Sequence, residues 1–237
     1  MLNRIKVIGF DADDTLWINE NFFRQAEAEF AGLMKEYASE GEVIKTLYDV
    51  EYRNIPLYGY GIKAFMLSVM ETALLLSSQN PNPSLIAKII EIGKQMLLLP
   101  VELLPGAQEI LETLAPHHRL MLATKGDLHD QQRKLKESGL EQYFHHVEIM
   151  SEKTTLEYGK LLRHIDLDAS HFMMIGNSLK SDVLPVLKLG GKAVHIPYHI
   201  TWAHEVVDDP IEHPDFYTIE SLLELKTVFM DTLQPNG

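Results

Sequence analysis

The sequence predicts an α/β protein with a doubly wound parallel sheet and an inserted all-helical domain. Strand-like and helix-like segments alternate through the second half of the chain, a pattern typical of parallel βαβ units. Between about Asn19 and Leu104 the periodicity is helical, and no convincing strand pattern is present. We therefore expect a core domain at residues 1–17 and 105–237 and a helical domain at residues 18–104.

Five short apolar segments are predicted to be strands. The first, Ile5–Phe10, is mostly apolar and β-branched and ends abruptly in acidic residues, as a buried strand does where it opens into a loop. The other four are Arg119–Thr124, Val147–Met150, Phe172–Ile175 and Ala193–Ile196. The accompanying helices are predicted at Ala107–Leu114, Leu128–Ser138, Thr155–Ile165 and Leu179–Leu189, with glycines closely following the second and the last.

The inserted domain contains segments with the three-to-four-residue spacing of amphipathic helices. These helices are predicted at Phe22–Tyr37, Ile62–Leu76 and Leu85–Leu98, with a turn-rich loop at Ser77–Ser84. The segment Tyr52–Gly61 is rich in Tyr, Arg and Gly, and two interpretations stay open: a mobile loop that contacts a polar substrate, or a tight connection between helices. Arg24 and Arg53 in this domain are candidate substrate-binding residues.

The composition excludes several classes of protein. The 21 basic and 34 acidic residues give a net charge of −13 over 237 residues, which disfavours a nucleic-acid or anionic-membrane surface. The absence of cysteine excludes disulfides and thiolate metal sites. The N-terminus lacks signal-peptide features, and no apolar stretch approaches the roughly 20 residues of a membrane span. We expect a cytoplasmic protein without a nucleic-acid or membrane partner.

An acidic cluster follows the first predicted strand. Asp11, Asp13 and Asp14 lie within four residues of one another, and carboxylates so close repel unless a cation or hydrogen-bond donors compensate them. A hard cation such as Mg²⁺ fits this cluster, and one carboxylate can act as a nucleophile while a second acts as general acid and base. Taken alone, a solvated acidic turn that caps a helix is an equally good interpretation.

Three further strand ends supply a hydroxyl group, a cation and another carboxylate. They are Thr124-Lys125-Gly126-Asp127, Ser151-Glu152-Lys153, and Gly176-Asn177-Ser178 with Ser181-Asp182 just beyond. Each alone is better explained as a turn, a helix cap or a surface charge. The carboxyl ends of parallel strands meet at one sheet edge, where ligands bind. Together with Asp11, these groups are the parts needed to hold and transfer a phosphoryl group.

With these four motifs, the sequence resembles the haloacid dehalogenase-like (HAD) superfamily of hydrolases. The motifs agree with that family in order and spacing over nearly the whole chain, including a helical cap inserted between the first and second motifs. The resemblance implies a Rossmann-like core with the first strand central in the sheet, and a cap that closes over the site. It also implies a Mg²⁺-dependent phosphatase that acts on a small phosphorylated metabolite.

The resemblance assigns a role to each motif residue. Asp11 would be the nucleophile that attacks phosphorus and forms an aspartyl-phosphate. Asp13 would protonate the leaving oxygen and then activate water. Thr124 and Lys153 would hold the phosphoryl oxygens, and Lys125 would contribute to substrate binding through its backbone N–H group.

The same resemblance implies a Mg²⁺ site formed by Asp11, the backbone carbonyl of Asp13, Asp182 and Asn177. Family phosphatases usually carry Asp where Asn177 stands, and a neutral amide weakens a cation site. This departure favours, as an alternative, a phosphate-binding or regulatory protein with weakened catalysis. A 2-haloacid dehalogenase is a third hypothesis, and Asp13 disfavours it because no leaving alkoxide needs a proton in that reaction.

A few other residues have competing interpretations. Lys160 lies about two helical turns beyond Lys153 and is a less favoured alternative for its role. The loop Tyr198–His204 follows the last predicted strand and borders either the active site or a partner surface. The spacing of its histidines matches no zinc site. The sequence predicts neither the substrate nor the oligomeric state.

Overall fold

The chain divides into two compact units in the computed structural model, which describes residues 4–207 and 209–229. The first unit comprises the described residues within Met1–Ile18, Val101–Lys125 and Gln132–Gly237. The second comprises Asn19–Pro100 and Gly126–Gln131. Within the described part of the chain, every helix is too short or too polar to cross a membrane.

The first unit is built on a parallel sheet of six strands in the order β3-β2-β1-β4-β5-β6. The strands are β1 Val7–Phe10, β2 Arg119–Lys125, β3 Phe144–Met150, β4 Phe172–Gly176, β5 Lys192–His195 and β6 Phe216–Thr218. The chain runs from β1 outwards to β3 and then returns to β4 on the other side of β1. Ligands bind beside such a reversal, outside the carboxyl ends of the strands.

The second unit contains four helices. They are α1 Glu20–Met34, α2 Glu40–Tyr58, α3 Ile62–Leu76 and α4 Pro83–Leu98. The hydroxyl group of Ser39 accepts a hydrogen bond from the Glu42 N–H group and begins α2, and Asn82 caps α4 in the same way. One face of each helix contributes to a shared hydrophobic core that includes Phe30, Leu47 and Ile89.

Helices cover both faces of the sheet. They are α5 Ala107–Leu114, α6 Leu128–Ser138, α7 Thr155–His164, α8 Leu184–Leu187 and α9 Leu225–Val228. Alternate residues of a strand point to opposite faces. Phe10 accordingly packs in one core cluster with Ile110 of α5 and Leu225 of α9, whereas Val7 packs in another with Leu161 of α7. The prediction of a doubly wound α/β sheet with β1 at its centre is therefore confirmed.

Three local predictions were wrong. The helix predicted at Leu179–Leu189 is a π-helical turn, Leu179–Val183, followed by the short α8, because Pro185 fits only the first turn of a helix. The strand β6 was missed because it has only three residues. Both interpretations of Tyr52–Gly61 fail for its first seven residues, which form the end of α2. The helix stops where Gly59 adopts a φ of 72°, a conformation that favours glycine.

The helical unit contains a cluster of glutamates around one arginine. Arg24 lies 2.9 Å from carboxylate oxygens of both Glu20 and Glu27. Burial raises the pKa of Glu51 to about 8, and the negative charges of Glu27 and Glu20 add to this effect while Arg24 opposes it. The ionised form of Glu51 is therefore destabilised in the folded protein.

We expect the Glu51→Gln variant to be more stable than the wild-type protein at pH 8 and equally stable near pH 4.5. Because the folded-state pKa of about 8 exceeds the ordinary value of 4.5, the folded protein binds this proton more tightly. The contribution of Glu51 to stability is thus present at low pH and lost as the pH rises between these values. The amide avoids that loss, and we expect a gain of ~1–2 kcal/mol at pH 8.

Urea unfolding of both proteins between pH 4.5 and pH 8 measures this difference. Glu29→Gln, at an exposed position of α1, is the matched control. A gain in stability of Glu51→Gln over the wild-type protein that is equal at pH 4.5 and at pH 8 would contradict the prediction.

Candidate active site

The carboxyl ends of four adjacent strands bring the predicted core residues to one edge of the sheet. Asp11 and Asp13 follow β1, and Thr124 and Lys125 end β2. Lys153 follows β3, while Asn177 follows β4 and Asp182 lies in the π-helical turn. Parallel strands end on the same side, so residues far apart in sequence meet here.

Lys153 lies at the centre of this group of residues. Its Nζ atom donates hydrogen bonds to Asp11 Oδ1 at 2.5 Å and to Asp182 Oδ1 at 2.6 Å. All three residues are almost completely buried, with exposed fractions of 4%, 6% and 1% for Lys153, Asp11 and Asp182. The one positive charge of Lys153 is therefore shared between two carboxylates that are largely shielded from water.

Burial and charge act in opposite directions on these groups. Burial raises the pKa of Asp11 to about 7 even though the Lys153 ammonium group opposes the shift. Burial also raises the pKa of Asp182, although the charge of Lys153 and hydrogen bonds from Lys153 and the Ser178 N–H group act to lower it. Burial alone would lower the pKa of Lys153, but attraction to the two carboxylates outweighs it and raises that pKa well above its ordinary value. The two carboxylates therefore stabilise the charged form of Lys153.

Thr15 joins the first and fourth motifs. Its hydroxyl oxygen accepts a hydrogen bond from the Asn177 N–H group at 3.1 Å. The same hydroxyl lies 3.1 Å from Asp11 Oδ2 and 3.4 Å from Asn177 Oδ1, and it can donate to either. The side-chain oxygens of Asp11 and Asn177 therefore face a common point. The Nε2 atom of His195 lies 2.9 Å from the Asn177 carbonyl oxygen, and this contact further restrains the loop.

The position of the Asp182 carboxylate leaves room only for glycine at residue 176. A Cβ atom at residue 176 would lie only 2.2 Å from Asp182 Oδ2, closer than any real contact. That oxygen accepts a hydrogen bond from the Ser178 N–H group at 3.0 Å. The carboxylate of Asp182 thus lies directly against the backbone at the end of β4.

Trp17 and Lys134 both contact the carboxyl group of Asp13. Trp17 Nε1 donates to Asp13 Oδ1 at 2.7 Å, and Lys134 Nζ donates to the same oxygen at 2.6 Å. Trp17 is completely buried, and a buried indole N–H group needs an acceptor. The carboxyl group of Asp13 is therefore oriented by side chains from two separate segments of the chain.

Glu205 is a site residue that the sequence analysis missed. It lies in a short 3₁₀ turn, Ala203–Glu205, and its carboxylate accepts hydrogen bonds from Lys125 at 2.5 Å, from Ser181 at 2.6 Å and from the Ser178 hydroxyl group. Burial would raise the pKa of Glu205, but Lys125 and the serine hydroxyls outweigh it and lower that pKa. Its position directly after the loop Tyr198–His204 was the available signal, since that loop was expected to border either the active site or a partner surface.

Other predicted residues have different partners. Lys160 pairs with Glu157 at the surface of α7, whereas Lys153 reaches Asp11. The side chain of Lys125 pairs with Glu205. Within the helical unit, Arg24 pairs with two glutamates and Arg53 lies 3.5 Å from Glu71. Roles for Arg24 and Arg53 in substrate binding remain predictions.

The donor chemistry at the strand ends suits a hard cation. The described residues contain no ready-made cluster of three His, Asp or Glu side chains able to hold a metal ion. The amide oxygen of Asn177 and the Asp11 carboxylate nevertheless face one hydroxyl group, and Asp182 lies beside the same lysine as Asp11. Carboxylate and amide oxygens are ligands that Mg²⁺ accepts while it keeps several waters.

We expect Glu205→Gln to destabilise the protein by about 2–3 kcal/mol, because it removes the charge that compensates Lys125 in a partly desolvated site. Urea unfolding measures the loss of stability. Glu212→Gln, which changes an exposed glutamate later in the chain, is the control and should change stability by no more than ~0.5 kcal/mol. Adding Lys125→Met to Glu205→Gln should recover part of the loss. Equal stabilities of Glu205→Gln and Glu212→Gln would contradict the prediction.

The chain is similar to solved structures of one family. It is 36% identical to a haloacid dehalogenase-like family hydrolase from Xanthomonas campestris, with a TM-score of 0.86 over 97% of this chain and 92% of that one. A 2-haloacid dehalogenase from Pseudomonas syringae pv. tomato is 21% identical, with a TM-score of 0.64 over 96% of this chain and 99% of that one. A HAD phosphatase from Thermococcus onnurineus is 19% identical, with a TM-score of 0.63 over 95% and 98%.

The last two similarities, at their low identities, show the fold alone. No curated protein matches the sequence significantly. The family model of haloacid dehalogenase-like hydrolases matches residues 5–190, a range that includes β1 to β4 and all four motifs. With that match, the Xanthomonas similarity and the strand-end residues together, the chain belongs to the haloacid dehalogenase-like hydrolases.

Proposed function

We propose that this hydrolase is a phosphatase that cleaves a small phosphorylated metabolite through an aspartyl-phosphate at Asp11. The observation that carries the proposal is a second carboxyl group, Asp13, held in position by Trp17 and Lys134. A phosphate ester needs such a group because its leaving alkoxide must be protonated. A halide leaving group needs no proton.

The first half of the proposed reaction transfers the phosphoryl group to the protein. A carboxylate oxygen of Asp11 attacks phosphorus, the bond from phosphorus to the ester oxygen breaks, and the leaving oxygen takes a proton from Asp13. Lys153 and Thr124 bind the phosphoryl oxygens, where the fixed positive charge of Lys153 stabilises the transition state. Burial makes this charge effective because little water screens it.

The second half returns Asp11 to its starting state. Asp13, now a carboxylate, takes a proton from a water molecule, and the water oxygen attacks phosphorus. The bond from phosphorus to Asp11 breaks, and inorganic phosphate leaves. The same residue thus gives a proton in the first half and receives one in the second.

Mg²⁺ is the cofactor proposed for this site, held by Asp11, the Asp13 backbone carbonyl, Asp182 and Asn177. When bound, it would neutralise the negative charge that the phosphoryl group brings to the carboxylates. The near approach of the Asp11 and Asn177 oxygens to one hydroxyl group supports this assignment.

We expect Asp11→Asn to abolish phosphate release, by a factor of at least ~1000, because an amide is not a nucleophile. The measurement is phosphate release from sugar phosphates, nucleotides, phosphoglycolate, flavin mononucleotide and p-nitrophenyl phosphate, with and without Mg²⁺. Asp49→Asn, at an exposed position of α2, is the matched control and should retain wild-type turnover.

Binding and halide-release assays, run beside this screen, test the alternatives. Substrate binding without turnover in the wild-type protein would favour a phosphate-binding or regulatory role. Halide release from 2-haloacids without metal would favour a dehalogenase. Turnover that survives Asp11→Asn would remove the proposed nucleophile.

We expect Asn177→Asp to lower the Mg²⁺ concentration needed for half-maximal activity, by roughly 10-fold, because it adds a charge to the proposed ligand set. Asn177→Ala should raise that concentration, since it removes an oxygen ligand. Titration of activity with MgCl₂ after EDTA treatment measures both effects. A shift in the same direction for both variants would exclude Asn177 as a ligand.

A further inference from the structure

Lys134 of α6 lies beside the carboxyl group that the proposed reaction uses twice. We propose that Lys134 is a positioning residue, which acts through Asp13 and keeps its carboxyl group oriented for both proton transfers. This inference rests on the proposed phosphatase function. The carrying observation is the Lys134 Nζ to Asp13 Oδ1 hydrogen bond of 2.6 Å, which joins residues 121 positions apart in the sequence.

The burial of Lys134 indicates a specific role. Lysines are rarely buried, because removing an ammonium group from water costs several kcal/mol unless an opposite charge compensates it. Lys134 is nevertheless only 8% exposed. Lys136, two positions further along the same helix, is exposed. The helix therefore directs one lysine to Asp13 while its neighbour is solvated.

Asp13 needs more than one donor to keep a single orientation. Its side chain is 23% exposed, so water competes for the carboxyl oxygens. Trp17 Nε1 donates to Oδ1 at 2.7 Å and comes from the same loop as Asp13, four residues away. Lys134 donates to the same oxygen from α6. The Lys134 contact connects this loop to α6, whereas the Trp17 contact lies within the loop.

Orientation matters here because both proton transfers need the carboxyl oxygen within about 3 Å of its partner. A misplacement of about 1 Å costs roughly 100-fold in rate. Loss of the Lys134 contact should therefore lower kcat. It should change the affinity for the substrate little, because Lys134 is not among the residues proposed to bind phosphate.

The test compares Lys134→Met, Lys134→Arg and Lys136→Met with the wild-type protein, using p-nitrophenyl phosphate and Mg²⁺. We expect Lys134→Met to lower kcat by about 30-fold to 100-fold and to lower KM with it, so that kcat/KM stays within about twofold of wild type, because with this substrate only the water step is slowed. Lys134→Arg should recover most of the loss, because a guanidinium group can donate to the same carboxylate. Lys136→Met, the matched control on the same helix, should match the wild type.

Rapid mixing gives a second readout. Nitrophenolate leaves without a proton, so only the water step depends on Asp13 with this substrate. Lys134→Met should therefore release a burst of about one nitrophenol per protein before the slow steady state. A variant that is merely less stable would lose amplitude without producing a burst.

A double-mutant cycle shows whether Lys134 acts through Asp13. If it does, adding Lys134→Met to Asp13→Asn should lower kcat no further than Asp13→Asn alone. Losses that multiply in the double variant, or a kcat for Lys134→Met equal to that of the wild type, would overturn the inference.

The same experiment separates this inference from the proposed function. Wild-type turnover that Asp11→Asn abolishes, with no effect of Lys134→Met, would overturn the role of Lys134 and leave the phosphatase proposal intact. Absence of turnover in the wild-type protein would overturn both, because no proton transfer would then need positioning. Should Lys134→Met fail to fold, Lys134→Gln replaces it in the same kcat comparison, with Lys134→Arg still expected to retain most of the activity.

Discussion

The ion pairs between Lys153 and the carboxylates of Asp11 and Asp182 are the interaction on which the rest of the site depends. Each of these charges is almost excluded from water, and isolated buried charges cost several kcal/mol apiece. The arrangement forms because the strands are parallel and the winding of the chain reverses between the neighbouring strands β1 and β4. This topology brings the ends of separate strands within hydrogen-bond distance of one another.

The surrounding charges follow the same rule of compensation. Asp13 pairs with Lys134, and Glu205 pairs with Lys125, so four carboxylates face three lysines. The pairing also gives the lysines different functions. Lys153 faces the proposed nucleophile, whereas the side chain of Lys125 is committed to Glu205.

The sequence was sufficient for the features that depend on local pattern. Asp11, Thr124 and Lys153 were predictable because each stands at the end of an apolar strand, and parallel strand ends must meet. Lys134 and Glu205 were not, since neither directly follows a predicted strand: Lys134 lies within α6, and Glu205 lies in a 3₁₀ turn. The extension of α2 to Tyr58 was missed because Tyr, Arg and Pro in this segment resemble a loop, and only the backbone conformation of Gly59 shows where the helix ends. Side-chain pairing across the fold is set by packing, which local spacing does not encode.

The Trp17 contact has a practical consequence. The chain contains only two tryptophans, and both adjoin this site: Trp17 donates to Asp13, and Trp202 directly precedes the turn that carries Glu205. Indole emission responds to nearby charge and to solvent. The tryptophan fluorescence of the unlabelled protein therefore originates next to the proposed catalytic groups, and it offers an optical signal for ligand titrations without any dye or engineered reporter.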